Sequence, residues 1–144
     1  MFTGEFKYSI DSKGRVVFPP RFREELGTTF YATKGMENTI FIYTNNEWEI
    51  LAEKIGRLKQ LSMKEARSFA RLFFAGASPC ELDKQGRLSI PQNLRQYAQL
   101  DKEVYIIGVA KRIEIWDKEK WEAFNEDESS NYDSITEKLQ DLEI

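Results

Sequence analysis

Hydrophobic and polar positions follow the same order in two parts of the chain, residues 1–49 and 78–122. The similarity is strongest between IDSKGRVVFPPRFRE, residues 10–24, and LDKQGRLSIPQNLRQ, residues 82–96, which align at a spacing of 72 residues. The shared apolar positions are Ile10/Leu82, Val16/Leu88, Phe18/Ile90 and Phe22/Leu94, and the identical ones are Asp11/Asp83, Gly14/Gly86, Arg15/Arg87, Pro19/Pro91 and Arg23/Arg95. Repetition at a fixed spacing indicates an internal duplication.

Each copy predicts the same series of elements. The alternation of residue types in KYSI predicts a strand with Tyr8 and Ile10 on one face. DSKG and DKQG place Asp first and Gly fourth, which is typical of a type I turn that closes through a left-handed glycine. RVVF and RLSI then predict strands, and prolines start short helices near Pro20–Leu26 and Pro91–Ala98. The later predicted strands are TTFYAT, TIFIY, EVYIIGVA and RIEIW.

The two copies are expected to share one core. After a one-residue shift the spacing becomes 73, so that Tyr43 aligns with Trp116 and Trp48 with Trp121. A short helix is expected to carry Trp48 in the first copy and Trp121 in the second. Fifty residues with this pattern expose strand edges and bury little apolar area alone. We therefore predict an α+β fold in which two β modules form a pseudo-twofold β-barrel. The predicted parts are a first module 1–49, a helical insert 50–77, a second module 78–124 and an acidic, mobile tail 125–144.

Helical periodicity marks the insert. Apolar residues recur at helical spacing in two groups, the second after a Ser62-x-x-Glu65 capping box: Trp48, Leu51 and Ile55, then Ala66, Phe69, Ala70 and Phe73. The opposite face of the second helix carries Lys64, Arg67 and Arg71. This basic face is open to three interpretations, namely a solvated surface, a phosphate contact or a subunit interface.

The end of the chain has a different composition. NEDESSNYD, after Phe124, predicts an acidic linker. A second capping box, Ser134-x-x-Glu137, precedes Ile135, Leu139 and Leu142 and predicts a short amphipathic helix.

Composition excludes several classes of function. The chain has 144 residues, 41% hydrophobic and 31% charged, with no histidine and one cysteine. Triads that need histidine, zinc sites and phosphate-binding glycine loops are absent from the sequence, so we expect no enzyme and no cofactor. No apolar run approaches the roughly 20 residues of a membrane helix. The first residues lack the features of a signal peptide, and Cys80 is expected to be a small buried apolar residue in a reducing compartment.

Charge is distributed unevenly. Residues 1–72 carry 12 Lys and Arg against 9 Asp and Glu, whereas residues 73–144 carry 9 against 15, so the halves have net charges of +3 and −6. This asymmetry indicates a basic face and an acidic tail in one protein.

The repeated turn supports two interpretations. In one, Asp11 and Asp83 accept backbone hydrogen bonds, Gly14 and Gly86 relieve strain, and the arginine four positions after each Asp stabilises the hairpin. In the other, the cations around the turns bind nucleic acid, because Arg suits phosphate and the guanine edge and a hairpin can enter a groove. The candidate DNA-binding residues are Arg15, Arg87, Lys13, Arg21, Arg23 and Lys84, with Arg95 in a comparable place in the second copy.

The whole pattern resembles the MraZ family of bacterial transcriptional regulators. IDSKGR with PPRFREEL, then FFAGASPCELDKQGRLSIPQNLRQYAQL with EIWDKEKW, carry the resemblance over nearly all of residues 1–124. The resemblance implies two AbrB-like swapped-hairpin modules and a homo-oligomeric ring of about eight subunits. The family binds short direct repeats in the promoter of its own operon, in the division and cell-wall gene cluster.

Residue by residue, the family's DNA-facing arginine falls on Arg15, and its counterpart falls on Arg87. Many relatives have a basic residue at the third position where this chain has Thr3, which leaves open whether the N-terminus touches DNA. The expected protein is a cytoplasmic, nucleoid-associated repressor of its own operon that takes no small-molecule substrate and contacts no membrane. The alternative is an oligomeric protein-interaction scaffold of the same fold that does not bind DNA.

Overall fold

The computed structural model describes residues 1–58 and 63–139. It contains eight strands and six α-helices in these ranges, so the expected α+β class is confirmed. In chain order the elements are β1 Glu5–Ser9, β2 Arg15–Val17, α1 Pro20–Leu26, β3 Thr29–Lys34, β4 Ile40–Thr44, α2 Asn45–Gly56, α3 Met63–Ala75, β5 Ser78–Glu81, β6 Arg87–Ser89, α4 Gln92–Tyr97, β7 Glu103–Val109, β8 Arg112–Asp117, α5 Lys118–Ser129 and α6 Tyr132–Lys138.

Strand pairing joins the two copies. A six-stranded antiparallel sheet has the order β1-β7-β8-β4-β3-β5, and a two-stranded ribbon joins β2 to β6. The first strand of each copy pairs with the third strand of the other, and β4 pairs with β8 at the centre of the sheet. Exchanging β1–β4 with β5–β8 gives the same strand order read in reverse, so every strand keeps equivalent neighbours. Each copy therefore completes the other's sheet.

The predicted pseudo-twofold β-barrel is not closed. The sheet is open, and β1 and β5 form its two edges, with no further strand paired to either among the described residues. The physical reason lies in β2 and β6, which are three residues long and turn out of the sheet after Gly14 and Gly86. They pair with each other and leave the edges of the large sheet separate.

The main core lies between the sheet and the ribbon. Val16 and Leu88 project from the ribbon, and Phe22 and Leu94 project from α1 and α4. These side chains meet the inner face of the sheet, where Ile106 and its neighbours are almost fully buried. A second apolar cluster, Phe41, Tyr43, Trp48 and Phe73, lies on the other face of the sheet under α2 and α3. The ribbon and these two helices thus lie on opposite sides of the sheet.

The C-terminal elements differ from the prediction. Helix α5 continues to Ser129, so the first part of the predicted acidic linker is helical. Once Trp121 and Phe124 anchor a helix, each further residue adds a hydrogen bond at little cost, and Glu is a good helix former. Helix α6 begins at Tyr132, which puts Ser134 inside the first turn and makes Asn131 the N-cap. The Ser62 capping box and Leu142 lie outside the described residues.

Two further expectations concern single features. Cys80 on β5 is half-buried against the main core, and burial raises the pKa of its thiol to about 11. No helix in residues 1–58 and 63–139 has the length and apolar character needed to cross a membrane. The predicted boundaries between modules, insert and tail stay predictions.

Candidate nucleic-acid interface

The first turn is built around Asp11. Its Oδ1 accepts hydrogen bonds from the backbone N–H groups of Lys13 and Arg15, both at 2.9 Å. Its Oδ2 accepts from Nε of Arg15 at 2.7 Å. The N–H of Gly14 donates to the carbonyl of Asp11 at 3.0 Å, and Gly14 has φ +77°. The predicted type I turn with a left-handed glycine and an Asp–Arg pair is therefore present.

The second turn repeats this geometry. Asp83 Oδ1 accepts from the N–H groups of Gln85 and Arg87 at 2.9 Å, and its Oδ2 accepts from Nε of Arg87 at 2.8 Å. Gly86 also has φ +77°. Both copies thus hold an arginine by its Nε atom. Among the described residues, the two Nη atoms of Arg15 and of Arg87 make no hydrogen bond.

The turns keep both carboxylates ionised. Backbone hydrogen bonds from Arg15 and Arg87 are the largest cause that lowers the pKa of Asp11 and Asp83, and the side-chain hydrogen bonds of the same arginines add to it. Desolvation is the second-largest cause and acts in the opposite direction. An Asp that stays charged beside a half-buried Arg orients the guanidinium and offsets part of its positive charge.

The ribbon brings the two arginines to one surface. Arg15 pairs with Ser89 and Val17 with Arg87 across the antiparallel strands. Because directly opposite residues share a face, Arg15 and Arg87 lie on the outer face, while Val16 and Leu88 point into the core. Diagonal neighbours of this kind have Cα atoms about 7–8 Å apart. The side chains of Arg15 and Arg87 are 26% and 29% exposed.

Each turn is supported by the other copy. The carbonyl of Gly14 accepts from the N–H of Ile90 at 3.0 Å, and the carbonyl of Gly86 accepts from the N–H of Phe18 at 3.1 Å. The guanidinium of Arg23, which also donates from Nε to the carbonyl of Phe18 at 2.9 Å, lies over Gly86. The two turns and the ribbon between them are therefore one structural unit.

The four other candidate DNA-binding residues do not all lie near the turns. Lys13 and Lys84 are exposed on the two turns, and neither forms an ion pair among the described residues. Arg23 reaches the second turn, as described above. Arg21 turns away toward the N-terminal segment, where its Nη2 donates to the carbonyl of Thr3 at 2.8 Å and its guanidinium lies 5.9 Å from the ring centre of Phe6.

Arg95, which the sequence places comparably in the second copy, also belongs to this surface. Its guanidinium lies over Gly14, as that of Arg23 lies over Gly86. The signal in the sequence was the Arg23/Arg95 match between the copies. We define the turn face as the two turns, the outer side of the ribbon and these two helix arginines. Its charged residues are Lys13, Arg15, Arg23, Lys84, Arg87, Arg95, Asp11 and Asp83, six cations and two carboxylates.

The chemistry of the turn face is that of an anion-binding surface. It presents guanidinium groups with free donors beside exposed ammonium groups, which suit phosphate oxygens and the guanine edge. Residues 1–58 and 63–139 contain no group of His, Cys, Asp and Glu that could hold a metal ion.

Comparisons with known proteins agree with the duplication. The family model described as "MraZ protein, putative antitoxin-like" matches the chain twice, at residues 1–72 and 73–142. A protein of Natranaerobius thermophilus named transcriptional regulator MraZ is 53% identical over 144 residues, which cover all of both chains. Proteins with the same name from Alkaliphilus metalliredigens and Caldicellulosiruptor saccharolyticus are 51% and 54% identical, also over the full length of both chains.

Proposed function

This chain belongs to the MraZ family, and from that membership we propose that it is a transcriptional regulator that binds double-stranded DNA through the turn face. The family is one of regulators, and the chain is not an enzyme. The relatives at 51–54% identity over their full length support the regulatory role through their names.

One observation carries the choice of surface. Arg15 and Arg87 share the outer face of a two-stranded ribbon, and their Nη donors are unused among the described residues. A two-stranded ribbon is narrow enough for the major groove, where Arg can donate two hydrogen bonds to guanine. Lys13, Lys84, Arg23 and Arg95 flank the ribbon and supply contacts to phosphates. Asp11 and Asp83 orient the two arginines.

We further propose that the protein acts as a homo-oligomeric ring on tandem repeats. One turn face carries a net charge of only +4, so a single subunit binds weakly. Several subunits on adjacent repeats make the later contacts intramolecular, which raises the overall affinity by about 10²–10⁴. The sites are the direct repeats in the promoter of its own operon, which it represses. This role belongs to a cytoplasmic, nucleoid-associated protein.

The deciding experiment compares the wild type with Arg15→Ala in a fluorescence-anisotropy titration. The DNA is the segment upstream of the protein's own coding sequence, with one repeat or with three. Arg57→Ala is the matched control, because Arg57 is exposed at the C-cap of α2, on the opposite side of the sheet from the ribbon. Light scattering after size exclusion gives the oligomeric state of each protein.

We expect the wild type and Arg57→Ala to bind, with a steep loss of affinity as salt rises, and three repeats to bind more tightly than one. We expect Arg15→Ala to keep its mass and lose binding. Equal affinity for one and three repeats would contradict the role of tandem sites.

The second candidate function is a protein-interaction scaffold, and the Asp–Arg pairs favour it. The 2.7 Å and 2.8 Å pairs stabilise each turn whether or not DNA is present. If the wild type binds none of these DNAs, and Arg15→Ala loses its fold or its oligomer, the turns serve the structure and the partner is a protein.

A further inference from the structure

A groove of about 500 Å³ lies on the face of the sheet opposite the ribbon. Phe41 and Tyr43 of β4 form its floor, and side chains of α2 and α3 form its walls. Tyr97 of α4 and the turn Met36–Asn38 border it as well. A concave site of this size, mostly apolar and with a few polar groups, is typical of a site for a small molecule.

The groove is rich in aromatic side chains. Five of the described residues that line it carry rings, namely Phe41, Tyr43, Phe69, Phe73 and Tyr97. On the α3 wall, Phe69 and Leu72 are 40% and 64% exposed, so a ligand can reach them from solvent. Burial is the largest cause that raises the pKa of Tyr43, which indicates a poorly hydrated floor. Because aromatic rings gain from stacked and edge-on contacts, this lining favours a ligand with an aromatic ring.

Lys34 brings an unpaired positive charge to the groove. Its Nζ lies 5.4 Å from the ring centre of Tyr97 and forms no ion pair within residues 1–58 and 63–139. The aliphatic stem of Lys34 lies against Gly76, which has no side chain to displace it. The side chain is half-buried and lines the groove. A negatively charged ligand group would therefore find a held ammonium group as its partner.

The charge of Arg112, the other cation of the groove, is already compensated. Its Nε and Nη2 lie 2.9 Å and 2.7 Å from Oε2 of Glu114, and its guanidinium lies 4.2 Å from the ring centre of Phe41. Glu114 is buried and also accepts from Nε1 of Trp116 at 2.9 Å. The uncompensated charge of the described groove is thus a single positive one, which suits a monoanion such as a carboxylate.

The turn between β3 and β4 has a strained backbone where it borders the groove. Glu37 and Asn38 have φ +53° and +54°, a conformation that residues other than glycine seldom adopt. The hydroxyl of Tyr97 donates to the carbonyl of Gly35 at 2.6 Å and ties this turn to α4. Met36 lines the groove, is largely exposed and can adapt its shape to a ligand. Backbone strain of this kind clusters at ligand-binding sites.

We propose that this groove binds a small aromatic carboxylate. The ring of the ligand lies among the rings of β4 and α3, and its carboxylate faces Nζ of Lys34. This inference goes beyond the proposed function, because DNA binding by the turn face on the opposite side of the sheet does not require it.

The test is isothermal titration calorimetry of the full-length protein with cinnamate and with cinnamamide, its neutral amide of nearly the same shape. Lys34→Met removes the charge and keeps an unbranched stem beside Tyr97. Lys54→Met is the matched control, since it makes the same change at an exposed α2 residue outside the groove.

A second variant tests the aromatic wall. Phe69→Ala/Leu72→Ala shortens two exposed side chains of α3 that line the groove, so the fold should tolerate it. Ile50→Ala is its control, because Ile50 is a partly exposed apolar residue of α2 outside the groove. Circular dichroism and thermal melting check the fold of every variant.

We expect the wild type and both controls to bind cinnamate with a Kd below about 1 mM. Cinnamamide should bind them about fivefold more weakly, which is the effect of a partly exposed ion pair. Lys34→Met should bind the two compounds equally. Phe69→Ala/Leu72→Ala should bind both about tenfold more weakly than the wild type, because it loses apolar contact area.

Several results would overturn the proposal. If the wild type binds neither compound, the groove is closed to small ligands or filled by another copy of the chain. Equal affinity of the wild type for both compounds, or a preference for cinnamate that persists in Lys34→Met, would rule out the role of Lys34. Unchanged binding by a folded Phe69→Ala/Leu72→Ala would place the ligand outside the groove. None of these results bears on DNA binding, which the anisotropy titration measures separately.

Discussion

The guanidinium of Arg95 occupies the space directly over Gly14, although the two residues belong to different copies of the repeat. The pair Arg23 and Gly86 repeats the contact in the opposite direction. Each turn is therefore supported by an arginine from the helix of the other copy. The absence of a side chain at Gly14 serves both the left-handed backbone at φ +77° and the close approach of Arg95.

Replacing Gly14 with Ala should destabilise the protein. A left-handed conformation costs an L-residue about 1–2 kcal/mol, and the new methyl group would also displace Arg95. We expect a loss of at least about 1 kcal/mol in the free energy of unfolding, measured by urea denaturation. Gly56→Ala is the control, because Gly56 lies in α2 with open space around it and should lose no stability.

A double-mutant cycle separates the two causes. If displacement of Arg95 contributes, Gly14→Ala should cost less in an Arg95→Ala background than in the wild type. Equal costs in both backgrounds would assign the whole effect to the backbone of Gly14.

Substituting Asp11 with Asn should weaken DNA binding even though the protein becomes more positive. The amide can still accept from the backbone N–H groups, but its NH₂ group cannot accept from Nε of Arg15, so the guanidinium loses its orientation. We expect an affinity about tenfold lower in an anisotropy titration at fixed salt, the equivalent of about 1.4 kcal/mol. Glu24→Gln changes the charge equally on the exposed side of α1, and should leave the affinity unchanged or slightly higher. Tighter binding by Asp11→Asn would mean that charge alone governs the contact.

The stability supplied by the two carboxylates should depend on pH. Their pKa values are lowered in the folded protein, so each stabilises the fold above the ordinary Asp value of about 3.9. This contribution is lost as the pH falls through the lowered folded-state pKa. Compared with the variant Asp11→Asn/Asp83→Asn, the wild type should be more stable at pH 7, and the difference should shrink below about pH 4. Urea midpoints between pH 7 and pH 3 measure it, and a constant difference would contradict the coupling.

Local chemistry made the turns predictable from sequence. The spacing of Asp11, Gly14 and Arg15 determines which backbone groups can meet, and the second copy has the same spacing. Pro20 and Leu26 bound the first short helix as predicted, because proline fixes the first turn and Gly27 follows the last.

Long-range pairing was less predictable. Alternating apolar residues show that β1 has one face toward the core, yet they do not specify that β7 is its partner or that the sheet stays open. The proximity of Arg95 to Gly14 depends on that pairing between copies. The length of helix α5 was underestimated for another reason. The acidic composition after Phe124 is typical of a linker, although the helix that Trp121 anchors continues through it.

Arg21 and Arg23 should respond differently to substitution, although both lie on α1 and both were candidates for DNA contact. Arg23 supports the second turn over Gly86, whereas Arg21 contacts the carbonyl of Thr3 and the ring of Phe6. We expect Arg23→Ala to weaken DNA binding several-fold, because it removes a cation from the turn face and loosens the turn that holds Arg87. Arg21→Ala should leave the affinity nearly unchanged and increase hydrogen exchange in the N-terminal segment, which loses its anchor. The two variants have the same net charge, so nonspecific attraction to DNA falls equally in both. A similar loss of affinity in both would show that α1 contributes charge alone, and a larger loss in Arg21→Ala would move the contact surface toward Thr3.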